Sequence, residues 1–311
     1  MPSSPALESP EFEPTAARPA PLVRTLSRAG GVSARALIGS NLIADAMSLR
    51  AMAPTAANAL GRALMGAVLV AVGPAGEGQD GESVQLQFRG DGPLGSVLAI
   101  SDAGGRVRGT VDHPETDLTL GNGSPDVARA IGLGTLNVVR HKPGWREPYT
   151  GIVPLTSGEI AQDLTLYLTE SEQTPSAMGL GVAMASDESA VVAAGFLLQM
   201  LPGASEEEAS RAEANVGAMP PLSDLALTRA EPGEIIDLLL AGLGSRERTQ
   251  SNAVFYCPCT RARALATLRM LEPAELADMV RSGQGQEVRC HFCARAYTMT
   301  AQEIGQLGLA P

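Results

Sequence analysis

Apolar residues recur at helical spacing in the first quarter of this 311-residue chain. Between Leu60 and Val72 an apolar residue stands at every fourth position, so one face of the segment is apolar along its whole length. The pattern predicts a helix over residues 55–72, and a similar pattern predicts a shorter helix over residues 41–49.

Apolar and polar residues alternate in the next three segments, which is the pattern of half-buried strands. The segments cover residues 84–89, 96–101 and 106–111. Glycine-rich turns at residues 90–93 and 102–105 separate them. We therefore expect an antiparallel meander of three strands.

The remaining part of the first two hundred residues mixes both patterns. A strand is predicted over residues 134–139, and a helix over residues 159–169. Thr156 and Glu159 have the spacing of a capping box at the start of that helix. Residues 178–200 are predicted to contain a further strand and helix.

One motif in the meander resembles a dinucleotide-binding loop. Residues 90–95 fit the spacing G-x-G-x-x-G, but a nucleotide site of that kind needs a helix to begin at the last glycine. Residues 96–100 have the pattern of a strand instead. We expect a hairpin turn here and no nucleotide site.

Residues 204–252 differ from the rest of the chain because they contain no aromatic residue and are interrupted by Pro220 and Pro221. Their apolar residues predict a stripe that packs on another part of the protein, and this stripe consists of Leu222, Leu225, Leu227, Ile235, Leu238 and Leu239. We expect a helical linker of modest intrinsic stability. An ordinary connector between two domains is the alternative.

Composition narrows the class of protein. The length suggests two domains, and aromatic residues make up only 3% of the chain, so the core is aliphatic. The formal net charge of −11 argues against nucleic acid as the main partner, since binding to phosphates needs a basic surface.

The beginning of the chain has no feature of a targeting segment. Residues 1–21 are rich in proline and are predicted to be disordered, and they lack the apolar run of a signal peptide. The longest strongly apolar run, residues 63–72, is too short to cross a bilayer. We therefore expect a cytoplasmic protein without a membrane partner.

All four cysteines lie near the end of the chain, at Cys257, Cys259, Cys290 and Cys293. Two close pairs of thiolates that meet in space form a closed tetrahedral zinc site. We expect one zinc ion per chain, held by all four. Residues 253–311 are too few for a strong core, so the metal would supply much of their folding free energy. A purely structural zinc site remains the simplest alternative.

Four arginines flank the cysteine pairs at Arg261, Arg263, Arg289 and Arg295. Four thiolates and one zinc ion carry a formal charge of −2, which neighbouring guanidinium groups would offset. The alternative is that these arginines are ordinary solvated side chains. His291 stands between two cysteines, and we expect it to be a bystander because the four thiolates already complete the zinc shell.

Several stretches of the chain match one known family, and the resemblance extends from about Leu22 to the end. Besides the order C-x-C then C-x-x-C, the matching stretches are residues 59–62, 90–95, 106–109, 134–136, 148–155, 171–176 and 199–203. The chain resembles the bacterial 33 kDa chaperonin family. The resemblance implies an α+β fold after the tail at residues 1–21. Its parts are an N-terminal α/β domain with an antiparallel sheet (22–203), a helical linker (204–252) and a small four-cysteine zinc domain (253–311).

The resemblance also implies a function. The family consists of ATP-independent chaperones, not enzymes, that are inactive in the reduced, zinc-bound form. Oxidation is expected to form the disulfides Cys257–Cys259 and Cys290–Cys293, release zinc and loosen the linker. The exposed surface then binds unfolded or oxidatively damaged proteins. A homodimer in the oxidised state and ATP-dependent foldase chaperones downstream are the further partners that the family implies.

Two other functions fit the cysteines. A thiol-disulfide oxidoreductase would use Cys290 and Cys293, although such a motif usually begins a helix in a thioredoxin-like unit. A constitutive interaction module with structural zinc would bind its partners whatever the redox state. Reduction of insulin would identify the oxidoreductase, and holdase activity that does not respond to oxidants would identify the constitutive module.

Overall fold

The structure, a computed structural model, describes residues 17–74, 81–184, 191–228 and 230–307. Of the tail predicted over residues 1–21, residues 1–16 lie outside the described residues. The last two residues of the predicted tail, Ala20 and Pro21, belong instead to the first strand, which begins at Ala20 and pairs with two other strands.

A mixed α+β architecture is built on one large sheet. Its strands are β1 (Ala20–Leu26), β2 (Val32–Ile38), β3 (Ser83–Gly90), β4 (Ser96–Asp102), β5 (Arg106–Val111), β6 (Gly134–His141), β7 (Tyr149–Leu155), β8 (Ser176–Met184), β9 (Val191–Met200) and β10 (Thr249–Phe255). The order across the sheet is β7-β6-β3-β4-β5-β10-β1-β2-β9-β8. Neighbouring strands are antiparallel except β10 and β5, which are parallel.

Helices lie on both faces of the sheet and form most of the C-terminal region. They are α1 (Ser40–Leu49), α2 (Pro54–Ala71), α3 (Val127–Ile131), α4 (Ile160–Glu170), α5 (Glu206–Gly217), α6 (Leu222–Leu227), α7 (Pro232–Leu239), α8 (Arg261–Thr267), α9 (Pro273–Ser282) and α10 (Ala301–Leu307). A small separate hairpin consists of β11 (Gln286–Arg289) and β12 (Ala296–Met299). Among the described residues, none of the helices has the length and apolarity needed to cross a membrane.

The predicted early helices and the meander are confirmed to within two residues at each end, as α1, α2 and β3 to β5. Strand β4 begins at Ser96, directly after the glycine motif, so the motif forms a turn and no helix follows it. Helix α2 is more deeply buried than its single apolar face predicts, with 16 of its 18 residues buried. At Gly61 an added Cβ would lie 2.3 Å from the Ile43 side chain, which shows how closely α1 and α2 approach.

Two local predictions are wrong. Thr156 does not cap α4, because its amide and hydroxyl both donate to Asp163, at 2.9 and 3.0 Å, and Glu159 is the N-cap without a side-chain bond. The described part of residues 178–200 contains strands β8 and β9 and no helix. Strand β9 lies between β2 and β8 and has seven consecutive buried residues. Its sequence therefore does not alternate between apolar and polar residues as a half-buried strand does.

The helices of the predicted linker cover one face of the sheet. Their buried side chains pack on strands β1, β2 and β9, and the cluster consists of Val23, Val32, Ala34, Ala36, Ala194, Phe196, Leu198, Ala212, Leu222, Ala226, Ile235, Ile236, Leu239 and Leu240. We call this cluster the linker-covered face. Leu227 and Leu238 belong to the predicted stripe but are 55% and 41% exposed. In α7 the predicted Ile235 and Leu239 are buried, together with Pro232 and Ile236, and these residues lie on one side of the helix.

The predicted domain boundary between residues 252 and 253 falls inside β10. This strand pairs with β1 and β5, so the end of the predicted linker and the beginning of the predicted zinc domain both belong to the large sheet. Among the described residues after β10, a small separate core is formed by the buried side chains of Ala264, Leu268, Met299 and Ile304.

Candidate metal centre

Two chain reversals carry the cysteines. The first pair follows directly after β10 and precedes α8, whose N-cap Thr260 accepts a hydrogen bond from the Arg263 amide at 3.2 Å. The second pair lies in the turn between β11 and β12. In that turn the Cys290 amide donates to the Arg295 carbonyl at 2.8 Å, and Ala294 has a φ of 55°. The turn therefore projects both sulfurs of the second pair towards the first.

The four sulfur atoms lie within 4.8 Å of one another, so all four predicted ligands are brought together. Cys257 and Cys290 are 3.6 Å apart, and Cys259 and Cys293 are 3.3 Å apart, between sulfur atoms. A tetrahedral zinc–thiolate site with Zn–S bonds of about 2.3 Å separates its sulfurs by about 3.8 Å. The donor set and its dimensions therefore fit a metal ion that prefers sulfur. Cys293 is buried and the other three cysteines are partly exposed.

The thiols of the cluster do not ionise independently. A hydrogen bond from the Cys257 thiol lowers the pKa of Cys293 to about 5, against the opposing effect of burial, and the Arg295 amide adds to the lowering. The same bond to Cys293, together with burial, raises the pKa of Cys257. Ionisation of one thiol therefore makes ionisation of the neighbouring thiols less favourable. A bound cation is what allows all four sulfurs to be thiolates together.

A tyrosine completes the surroundings of the sulfurs, and the sequence analysis did not identify it. The Tyr297 hydroxyl lies 3.2 Å from the Cys259 sulfur and 3.2 Å from the Cys259 carbonyl oxygen. It stands in β12, four residues after the last cysteine, so only the pairing of the hairpin brings it to the first cysteine pair. Its contacts hold the first pair against the second.

Three of the four arginines expected to offset the charge of the sulfurs bind oxygen atoms instead. Arg261 forms an ion pair with Glu303, and Arg289 forms one with Glu287. Arg263 donates at 2.9 Å to the backbone carbonyl between the first two cysteines. Of these contacts, the Arg261 ion pair joins α8 to α10. The fourth, Arg295, does face the sulfurs, because against the opposing effect of burial its pKa is raised by Tyr297 and by the negative charge of Cys259 and Cys293.

The loop between the second cysteines rests on the large sheet. The guanidinium carbon of Arg108 in β5 lies 5.0 Å from the centre of the Phe292 ring, a cation–π distance. His291 lines a polar cavity of about 440 Å³ together with side chains of β3, β4 and β5. His291 thus faces the sheet, and its role as a bystander to the thiolates stays a prediction. The cysteine cluster is in contact with the sheet through this loop as well as through β10.

Comparison with known proteins identifies the family. The model of the family described as "Hsp33 protein" matches residues 21–300. The chain belongs to the Hsp33 family. Hsp33 relatives named 33 kDa chaperonin match over nearly their full lengths. The relative from Geobacter sulfurreducens is 37% identical and the one from Symbiobacterium thermophilum is 38% identical. Each alignment covers 92% of this chain, with 94% and 96% of the two relatives.

A solved Hsp33 structure has the same fold. The 33 kDa chaperonin from Thermotoga maritima, also titled heat shock protein 33 homolog, aligns with a TM-score of 0.83 at 33% identity. The alignment covers 93% of this chain and 97% of the other. Membership in the Hsp33 family, which the sequence analysis inferred as a resemblance, is therefore confirmed, and it is consistent with a chaperone.

Proposed function

We propose that this protein is a chaperone that is switched on by oxidation and holds unfolding proteins without ATP. The observation that carries the proposal is that four clustered thiols and, among the described residues, a core of four buried side chains hold together a C-terminal region that is joined to the sheet through β10. A domain with so small a core depends on its cross-links for stability. Chemistry at the thiols is then coupled to the fold.

In the reduced state, Cys257, Cys259, Cys290 and Cys293 hold one zinc ion. Zinc, when bound, contributes folding free energy on the order of 10–16 kcal/mol in small zinc peptides. Helix α9 has no buried side chain, so little else stabilises this part of the chain. The folded domain keeps β10 in the sheet, and the linker helices remain on the linker-covered face.

Oxidation removes the ligands in two steps. Each step joins two thiolates into a disulfide, and the two electrons released, with two protons from the solvent, reduce one peroxide molecule to two water molecules. Following the family resemblance, we assign the disulfides to Cys257–Cys259 and Cys290–Cys293. Three of the cysteines are partly exposed, which gives an oxidant access to them.

Loss of the metal site then loosens the linker. The linker-covered face has fourteen buried apolar members contributed by the sheet and the helices, and opening exposes both sides. Such a surface binds the apolar segments of unfolded or oxidatively damaged proteins. We further propose that the protein acts in the cytoplasm, that the oxidised form is a homodimer, and that its clients pass to ATP-dependent foldases.

The test measures zinc content and suppression of aggregation side by side, before and after treatment with peroxide. We expect one zinc per chain and little suppression in reduced protein, and loss of zinc with strong suppression after oxidation. Suppression that is equal in both states would favour a constitutive module. Reduction of insulin at the rate of a thioredoxin would favour an oxidoreductase.

A further inference from the structure

Strand β10 occupies a position in the middle of the sheet that joins its two halves. It is antiparallel to β1 over five residue pairs and parallel to β5 over two, Val254 with Arg106 and Phe255 with Val107. In the strand order of the described residues, β10 alone connects the group β7-β6-β3-β4-β5 to the group β1-β2-β9-β8. Removal of β10 would therefore leave two unpaired strand edges that face each other.

The side chains of β10 hold it only weakly. Its sequence begins with four polar residues, and of its seven side chains only Ala253 and Phe255 are buried. By comparison, the central strand β3 buries three large or branched apolar side chains, those of Val84, Leu86 and Phe88. Strand β10 is therefore kept in place mainly by backbone hydrogen bonds and by the segment that comes after it in the chain.

The metal centre begins only one residue after β10. That intervening residue is Tyr256, whose amide donates to the Val107 carbonyl at 2.8 Å, and the Arg106 guanidinium lies 5.8 Å from the Tyr256 ring centre. The end of β10 that carries both buried side chains is thus the end next to Cys257. Loosening of the metal centre acts first on this end.

We propose that the place of β10 between β1 and β5 is a client-binding site, taken by an extended segment of an unfolded protein after β10 withdraws. The inference rests on the proposed function, because β10 withdraws only when the metal centre opens. The two vacated edges offer main-chain donors and acceptors to any sequence, as in binding by strand addition. The gap is two strand spacings wide, about 9.6 Å, which admits one strand.

The side chains around the place of β10 also determine which client segments can bind there. Leu22 in β1 and Val107 in β5 are buried on either side of β10 and border the space that Ala253 and Phe255 fill. A client strand therefore needs two apolar side chains at alternate positions and tolerates polar residues elsewhere. At Gly105 an added Cβ would lie 3.1 Å from the Asn252 carbonyl oxygen, so the occupant's backbone passes close to this turn. We therefore expect the bound substrates to be extended polypeptide segments that carry apolar side chains at two alternate positions.

A disulfide between β1 and β10 tests the proposal. In a background in which all four native cysteines are replaced by serine, Pro21→Cys and Asn252→Cys introduce thiols at two exposed residues that face each other in the register. The lock holds β10 in the sheet and leaves residues 204–248 free to open. The matched control is Gln87→Cys with Leu98→Cys, a facing pair on β3 and β4.

We expect the locked protein to suppress client aggregation at least tenfold less than the same protein with the lock reduced, while locking the control pair changes nothing. Equal suppression with the lock closed would overturn the site. If the variant with all four native cysteines replaced by serine does not suppress aggregation when the introduced disulfide is reduced, the proposed function itself is contradicted, and the site with it.

A competition measurement separates the site from an effect of the lock on the linker. A peptide with the sequence of residues 248–256 is added to the unlocked serine background together with client. We expect it to reduce client binding at least twofold, and the same peptide carrying Ala253→Asp and Phe255→Asp to have no effect. Failure of the first peptide to compete would overturn the proposal whatever the lock does.

Discussion

At the scale of single residues, the ligand set follows from the spacing of the cysteines, whereas its surroundings do not. The four thiols were identifiable because the chain has no others and places them in two close pairs. The contacts of Tyr297 and Phe292 were not identifiable, because they depend on hairpin pairing and on a strand that lies far away in the sequence. Arginine near cysteine was a correct signal for Arg295, which interacts with Cys259 and Cys293, but not for Arg261 and Arg289, which bind carboxylates.

Replacement of one ligand tests the metal centre. Cys290→Ser leaves three thiolates, so we expect zinc to fall below half an equivalent per chain and residues after β10 to become sensitive to protease without oxidant. His291→Ala is the matched control because it changes the adjacent residue, which faces the sheet. Unchanged zinc content in the serine variant, or equal loss in both variants, would argue against a four-thiolate site.

A buried carboxylate ties the beginning of the linker to the sheet. Glu208 in α5 is 8% exposed and accepts hydrogen bonds from the Ser27 hydroxyl at 2.7 Å and the Gly31 amide at 3.2 Å. The bond from Ser27 is the main cause that lowers the pKa of Glu208 below its ordinary 4.5. Because the pKa is lowered in the folded state, ionised Glu208 contributes its full stabilisation of the folded state at neutral pH. This stabilisation is lost as the pH falls through the folded-state pKa.

Glu208→Gln should therefore destabilise the docking of α5 at neutral pH by about 1–3 kcal/mol, the usual cost of an unsatisfied buried group. Hydrogen exchange of α5 should accelerate accordingly at pH 7. As the pH falls through the lowered pKa of Glu208, the parent should lose further protection of α5, and the variant should not. Glu207→Gln is the control, since Glu207 is exposed in the same helical turn. Equal exchange in the two variants would contradict this role of Glu208.

At the scale of elements, local patterns identified α1, α2 and the meander, because their signals lie within each segment. Strands β1 and β10 were missed for a different reason. Strand β1 begins inside the proline-rich composition of the tail, and β10 is mostly polar. Strand β10 pairs only with strands distant in the chain, and one of the two partners of β1 is the distant β10. Non-local pairing of this kind leaves little trace in a short stretch of sequence.

The two leucines at the end of α7 offer a test of the linker. Leu239 is fully buried in the linker-covered face, whereas its neighbour Leu238 is 41% exposed. We expect Leu239→Ser to destabilise docking of the linker by about 2–5 kcal/mol, as deletion of a buried leucine does, and to give partial aggregation suppression without oxidant. Leu238→Ser should behave as the parent. Equal suppression by the two variants would show that docking of α7 does not control client binding.

At the scale of the whole molecule, the metal centre and the sheet form one connected system. The thiols are joined to the sheet through β10 and through the contact of Phe292 with Arg108, and the linker helices lie on the neighbouring strands. The change in composition after Asn252, where aromatic residues return, predicts a domain boundary at 252/253. The sheet crosses that position, so a change at the cysteines has a direct path to the sheet.

The most direct measurement of the central claim is hydrogen exchange in reduced and fully oxidised, zinc-free protein. The account predicts that exchange across α5 to α7 accelerates at least tenfold on oxidation, while β3 and β4 stay protected because their core does not involve the cysteines. Lasting protection of α5 to α7 in oxidised, zinc-free protein would contradict the account, even though the fold and the family would stand.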